Sequence, residues 1–378
     1  MKALWPPLAG VAVLGAVAVS VLGGTSWYYG GEGGMGCARC HEIQPMVEAW
    51  AGSSHRKVGC KDCHGSSFSA DLRMHAKNLE RVWLHSRGKS PEQIHIRHRD
   101  VPPLVARCAA CHAQEAADWA SGPHGVSYAA IFLDPKHNAS QQLMDDCLRC
   151  HAMHFEGGIR DLVAPLDRKG PWKFVNESDG RLAAVSCLAC HAVHRQGAPF
   201  AARQDRVAVE GRDQEVAAPS LAFYDRRTFE HVGLDRLPMP AMRDGDRVVK
   251  MSPDRRQALC YQCHAPRAGD QVFSGDDRTP VGVHEGLSCG ACHAKHGETT
   301  RASCAGCHPR LSNCGIDVET MDTTFRSRIS PHDIHRVACL DCHPRGVPAQ
   351  RGAASAAAPG LPTAGGSRGR RSIMGPGR

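Results

Sequence analysis

The pentapeptide Cys-x-x-Cys-His occurs nine times in this 378-residue chain and takes up eighteen of its nineteen cysteines. The copies are Cys37-Cys40-His41, Cys60-Cys63-His64, Cys108-Cys111-His112, Cys147-Cys150-His151, Cys187-Cys190-His191, Cys260-Cys263-His264, Cys289-Cys292-His293, Cys304-Cys307-His308 and Cys339-Cys342-His343. Two thiols one turn apart, with a histidine adjoining the second, suit one chemistry. The thiols add across haem vinyl groups as thioethers, and the histidine binds iron from the proximal side. Zinc ribbons have no need of a histidine directly after each second cysteine. A disulfide framework fails because two cysteines three residues apart close only a trivial loop. Nine covalently attached haem c groups are therefore expected, outside the cytoplasm. The remaining thiol, Cys314, has neither the second cysteine nor the histidine and reads as a buried inert side chain.

Between Lys2 and Glu32 there is no charged residue, and Leu8 to Leu22 is almost entirely Ala, Val, Leu and Gly, followed by Trp27, Tyr28 and Tyr29. Such a segment reads as an anchor in the inner membrane, with the rest of the chain facing the periplasm. The competing reading is a cleaved signal peptide, with Ala18-Val19-Ser20 as the small-residue site and a secreted periplasmic or extracellular product.

The formal charge of +8 does not point to nucleic acid, because Arg345, Arg351, Arg368, Arg370, Arg371 and Arg378 lie in a tail that has no acid. Two propionates per haem would add about eighteen negative charges to the assembled protein, which makes Arg and Lys propionate partners.

The motif spacing implies five segments: a membrane anchor over 1–29, a five-haem module over 30–194, a haem-poor connection over 195–259, a four-haem module over 260–344 and a disordered basic tail over 345–378. The fold class expected is mainly α with extensive loops, little β-sheet, and a core supplied by nine covalent haems, since aromatic residues make up only 5% of the chain.

Of twenty-three histidines, nine belong to motifs and fourteen remain to act as distal ligands. Recurrence selects among them. Trp50 and Trp119 are each followed five residues on by a histidine, His55 and His124, as if a short helix after a motif carried the indole onto haem and released the histidine as a ligand. His55, His284 and His335 each stand just ahead of a motif. His154, His194 and His296 each stand three residues after a motif histidine. One turn from a proximal ligand, such a ring cannot reach round the same iron and must serve a neighbour. The seven distal ligands expected are thus His55, His124, His154, His194, His284, His296 and His335, with two more drawn from His75, His85, His95, His98, His137, His231 and His332. Bis-histidine iron has no vacant position, so such centres transfer electrons and no catalytic residue is assigned.

The anchor and tether, Cys37-Ala-Arg-Cys40-His41-Glu42, Ser54-His55, Cys60-Lys-Asp-Cys63-His64 and the run from Arg73 to His85 resemble the NapC/NirT family. The resemblance implies a membrane-anchored quinol-dehydrogenase cytochrome, with quinol as donor and a periplasmic or extracellular redox protein as acceptor. The family places Met two residues after the first haem histidine, and here that residue is Ile43; Met46 reads either as a substitute or as a packing residue, and Lys77 and Glu80 either as the counterparts of the family's charged residues near quinol or as solvated helix charges. The stretch from Cys289 to His308 resembles paired-motif periplasmic multihaem cytochromes. Two alternatives to an electron conduit stay open: an oxyanion reductase with one open haem iron, and a subunit of an extracellular cytochrome filament.

Overall fold

The computed structural model describes residues 5–30, 36–39, 42–65, 68–89, 95–194, 220–264, 278–293, 296–297, 335–338 and 345. His41, the motifs at Cys304 and Cys339, Cys314, His332 and most of the basic tail lie outside them. The chain divides into two units, Met1–Val337 and Ala338–Arg378, and the helices and strands of the described residues belong to the first.

Helix α1 covers Trp5–Gly30, with Pro6 and Pro7 in its first turn, where a missing N–H costs nothing. The window Gly10–Tyr28 is long and apolar enough to cross a membrane and is almost wholly exposed. Short helices follow: α2 Gln44–Ala51, α3 Cys60–His64 and the longer α4 Phe68–Ser86, which packs against α1. Next come α5 Val101–Cys111, α6 Ala113–Ser121, α7 Tyr128–Phe132, α8 Pro135–Ser140, α9 Cys147–Cys150, α10 Ile159–Leu162 and α11 Cys187–Cys190. Finally α12 spans Gln257–His264 and α13 Cys289–Cys292. Side chains cap several of them. Asp134 accepts from the N–H groups of Lys136 and His137 to start α8, and Ser127 accepts from Ala130 to start α7.

Strands are few and short. Among the described residues they form four two-stranded pairs: β1 Val163–Ala164 with β2 Lys173–Phe174, β3 Ala222–Asp225 with β4 Glu230–Gly233, β5 Arg243–Asp244 with β6 Arg247–Val248, and β7 Val281–Gly282 with β8 Arg336–Val337. The first three are antiparallel and the last parallel. The fold is mainly α, as the sequence led us to expect.

Three of the motif turns are themselves core elements. In one turn of helix, residues i and i+3 share a face while the residues between them point the other way. Leu148 between Cys147 and Cys150, Ala189 between Cys187 and Cys190, and Tyr261 between Cys260 and Cys263 are all buried. Leu148 joins Phe132, Leu162 and Val163 in one apolar cluster; Ala189 joins Phe223, Tyr224, Leu234, Leu237 and Ala258 in a second; Tyr261 joins Met242 and Val249 in a third. Burying a leucine of this kind contributes about 1.5–3 kcal/mol. The inner residue thus anchors each of these three turns, and Cys147, Cys190 and Cys263 pack at the edge of the same clusters. The described part of the connection, 220–259, is folded onto this core through β3 and β4 rather than looped out.

Candidate haem centres

The backbone explains why the pentapeptide works as a unit. His112 donates its N–H to the carbonyl of Cys108 (2.8 Å), His151 to Cys147 (3.0 Å), His191 to Cys187 (3.0 Å) and His293 to Cys289 (2.9 Å). That bond closes one α-turn and holds the two thiols on one side. His151, His191 and His293 then leave the helix in extended conformation, which turns the imidazole away from the helix path.

Among the described residues five pairs of histidine rings lie with their centres 5.8–6.3 Å apart, and every pair contains one motif histidine. His64 and His194 stack with centres 5.8 Å apart and planes at 16°. His112 meets His55 edge-on at 6.1 Å and 65°, His264 lies 6.3 Å from His124 at 42°, His191 lies 6.1 Å from His296 at 34°, and His293 stacks on His335 at 6.1 Å and 16°. Two imidazoles on opposite sides of one metal have centres about 6 Å apart, because the metal–nitrogen bond is about 2 Å and the ring centre lies about 1 Å behind its nitrogen. The donor set and spacing fit haem c.

Five of the seven expected distal histidines therefore stand opposite a motif histidine. The other two are placed differently. His154 is buried against the Tyr224 ring, 4.1 Å between centres, and neither ring nitrogen has a hydrogen-bond partner. His284 lies in the turn before α13, its carbonyl accepting from Leu287 N–H at 3.1 Å. Of the reserve histidines, His231 donates from Nε2 to the Leu188 carbonyl (2.7 Å), His95 stacks on Phe229, His85 approaches Glu42 (3.1 Å) and His98 lies 3.5 Å from Asp179.

Burial favours the neutral form, which is the ligating one, at six histidines of the set. It pushes His154 down to about 3, helped by His231 and His98. It pushes His191 to about 4, with His296 adding to the effect, and His194 to about 4, with His64 adding. His64, His124 and His293 are lowered as well, burial again the largest cause.

The two Trp-to-His repeats share a device that the sequence did not disclose. Trp50, near the end of α2, donates its indole N–H to the Val58 carbonyl at 2.9 Å; Trp119, near the end of α6, donates to Val185 at 2.9 Å. Both acceptors lie two residues before the first cysteine of a motif, Cys60 and Cys187. The indole thus ties the histidine-bearing turn to the entrance of a motif. His124 is held further by Val185, whose N–H donates to its carbonyl (3.1 Å). Gly125 is required in that turn because a Cβ there would collide with the Trp119 carbonyl.

Residues 35–213 match the family model for outer membrane cytochromes, MtrC/MtrF-like, domains II/IV, and residues 233–294 match that for cytochrome c554 and c-prime. The chain is a multihaem c-type cytochrome. Over 139 residues it is 26% identical to cytochrome c-type protein NrfH of Wolinella succinogenes, a match that spans 35% of this chain and 74% of the relative. The cytochrome resembles the NapC/NirT family and belongs among electron-transfer proteins. No solved structure matches it.

At the amino-terminal end of the cytochrome, Arg39, inside the first motif, lies over the Tyr28 ring at 5.1 Å, and Gly36 rests against the Tyr28 carbonyl. The first motif therefore abuts the aromatic end of α1. Next to α1, α4 leaves Leu72, Leu79, Val82 and Trp83 exposed. Lys77 and Glu80 on the same helix are ion-paired at 2.6 Å and exposed; the pair holds the Glu80 carboxyl below its usual range.

Proposed function

We propose that the cytochrome is a membrane-anchored conduit that accepts electrons from quinol and passes them along nine haem c groups to a periplasmic or extracellular redox protein. When bound, haem c supplies one-electron iron chemistry, and a series of such groups is a wire. The observation that carries the reading is the set of five histidine pairs at the spacing of two ligands on one metal. In each pair the motif histidine would be the proximal ligand and its partner the distal one. Two histidine ligands from the protein would leave such an iron no position for a substrate, which favours transfer over reduction of a bound oxyanion. His154, buried, neutral and without a hydrogen-bond partner on either ring nitrogen, would be a further ligand.

Several features support the membrane end. Helix α1 would cross the bilayer. The exposed apolar residues of α4 would lie in the interface beside it, with Arg87 over the Trp83 ring at 4.4 Å as a headgroup-level cation. The contact of Arg39 with Tyr28 would hold the first haem at the lipid surface, within reach of quinol. Met46 is exposed on α2, and the exposed Lys77–Glu80 pair is the charged group that the family resemblance assigns to the quinol pocket.

The test combines fractionation with rapid kinetics. The cytochrome should stay with membranes after a carbonate wash, and a menaquinol analogue should reduce its haems in detergent within the mixing experiment. Release by carbonate would leave the cleaved-signal reading, and failure of the analogue would move the donor to a protein.

A further inference from the structure

The five histidine pairs do not respect the division of the sequence into an early and a late group of motifs. His191, from the fifth motif, faces His296, which follows the seventh motif. His264, from the sixth motif, faces His124, which follows the third. We infer that the two halves of the chain exchange axial ligands reciprocally, so that an iron of each half is completed by a histidine of the other. The inference rests on the bis-histidine reading proposed above.

Contacts that do not involve these rings point the same way. A Cβ at Gly122 would sit 3.3 Å from the His296 carbonyl, so the turn carrying His124 and the segment carrying His296 lie directly against each other. A Cβ at Gly297 would sit 3.7 Å from Asp118 Cβ on α6. The thiols of Cys150 and Cys263 are hydrogen-bond neighbours, and α12 packs against α9 and β3. Ser288, the cap of α13, donates to Asp254 at 2.6 Å, which ties the seventh motif to the start of the sixth.

The exchange dictates an order in space. His124 follows His112 on one short segment, so the His264 site adjoins the His112 site. His55 lies five residues before Cys60, so the His112 site adjoins the His64 site. His194 is three residues from His191 and His296 three from His293, and three residues span at most about 11 Å. The His64 site therefore adjoins the His191 site, which adjoins the His293 site. The sites run in the order sixth motif, third, second, fifth, seventh, and the path crosses between the halves twice. Such a chain cannot be cut into two working cytochromes, because each piece would lack a ligand that the other holds.

The test uses full-length protein. His296→Met should give one His/Met haem per chain, seen as a far-red sulfur-to-iron absorption band with a raised potential. The same substitution combined with Cys187→Ser and Cys190→Ser, which removes the His191 site, should show no such band. A band that persists in the combined variant would mean that His296 serves another iron and would overturn the exchange while leaving bis-histidine ligation intact. No band, with an unchanged low-spin spectrum, would overturn it as well. Parent protein rich in high-spin haem would show instead that the reading underneath had failed. Should the combined variant not accumulate, His124→Met with and without Cys260→Ser and Cys263→Ser asks the reciprocal question, with the same outcomes.

Discussion

Replacing His194 by alanine should turn one haem per chain from low-spin to high-spin and leave its iron open to carbon monoxide or cyanide. The ring lies parallel to that of His64 at 5.8 Å, and burial holds it neutral, its pKa pushed down to about 4. Loss of the imidazole would leave a five-coordinate iron. His194→Met is the companion variant, because a thioether keeps the iron six-coordinate and favours the reduced form. Its potential should rise by on the order of 100 mV, as expected for exchange of an axial ligand. A surface histidine with no metal role would leave spin state and potential unchanged in both variants.

Removing the two thiols of the fifth motif, Cys187→Ser with Cys190→Ser, should have the larger effect on traffic. The mass should fall by one haem, and reduction of the His293 site from the membrane end should slow at least about tenfold, since transfer needs neighbouring centres. The reason is position. His191 and His194 are three residues apart and face His296 and His64, so this one turn joins two neighbours. Its inner residue, Ala189, is packed in the core against Phe223 and Tyr224, which keeps the turn in place when the thiols are lost. Stopped-flow reduction followed site by site reads the result, and an unchanged rate to the His293 site would place the path elsewhere.

The motif residues were legible because their chemistry is local: two thiols and a histidine must share one turn, and a turn is written in five consecutive letters. The rule that a histidine one turn past a proximal ligand must serve a neighbour was also legible, and the structure brings His194 to His64 and His296 to His191. The same rule gave no partner for His154, whose surroundings are set by Tyr224 from a strand seventy residues on. Which motif each distal histidine would face was not legible, because it depends on packing between segments far apart, such as Gly122 against His296. The indole anchors were hidden for a related reason. The tryptophans recur visibly, but their acceptors are backbone carbonyls, which carry no letter of their own. The aromatic residues of the haem-poor connection were visible in the sequence, but not that Phe223, Tyr224 and Leu234 would fill the cluster between motif turns, because that too depends on packing between distant segments.

The central claim is that the protein's own histidines fill both axial positions of its iron. The most direct measurement is an electron paramagnetic resonance spectrum of the fully oxidised, membrane-purified protein, taken with a haem count. The account predicts nine haems per chain, all low-spin. A high-spin signal near one haem per chain would contradict it and would point to an open iron at which a substrate binds.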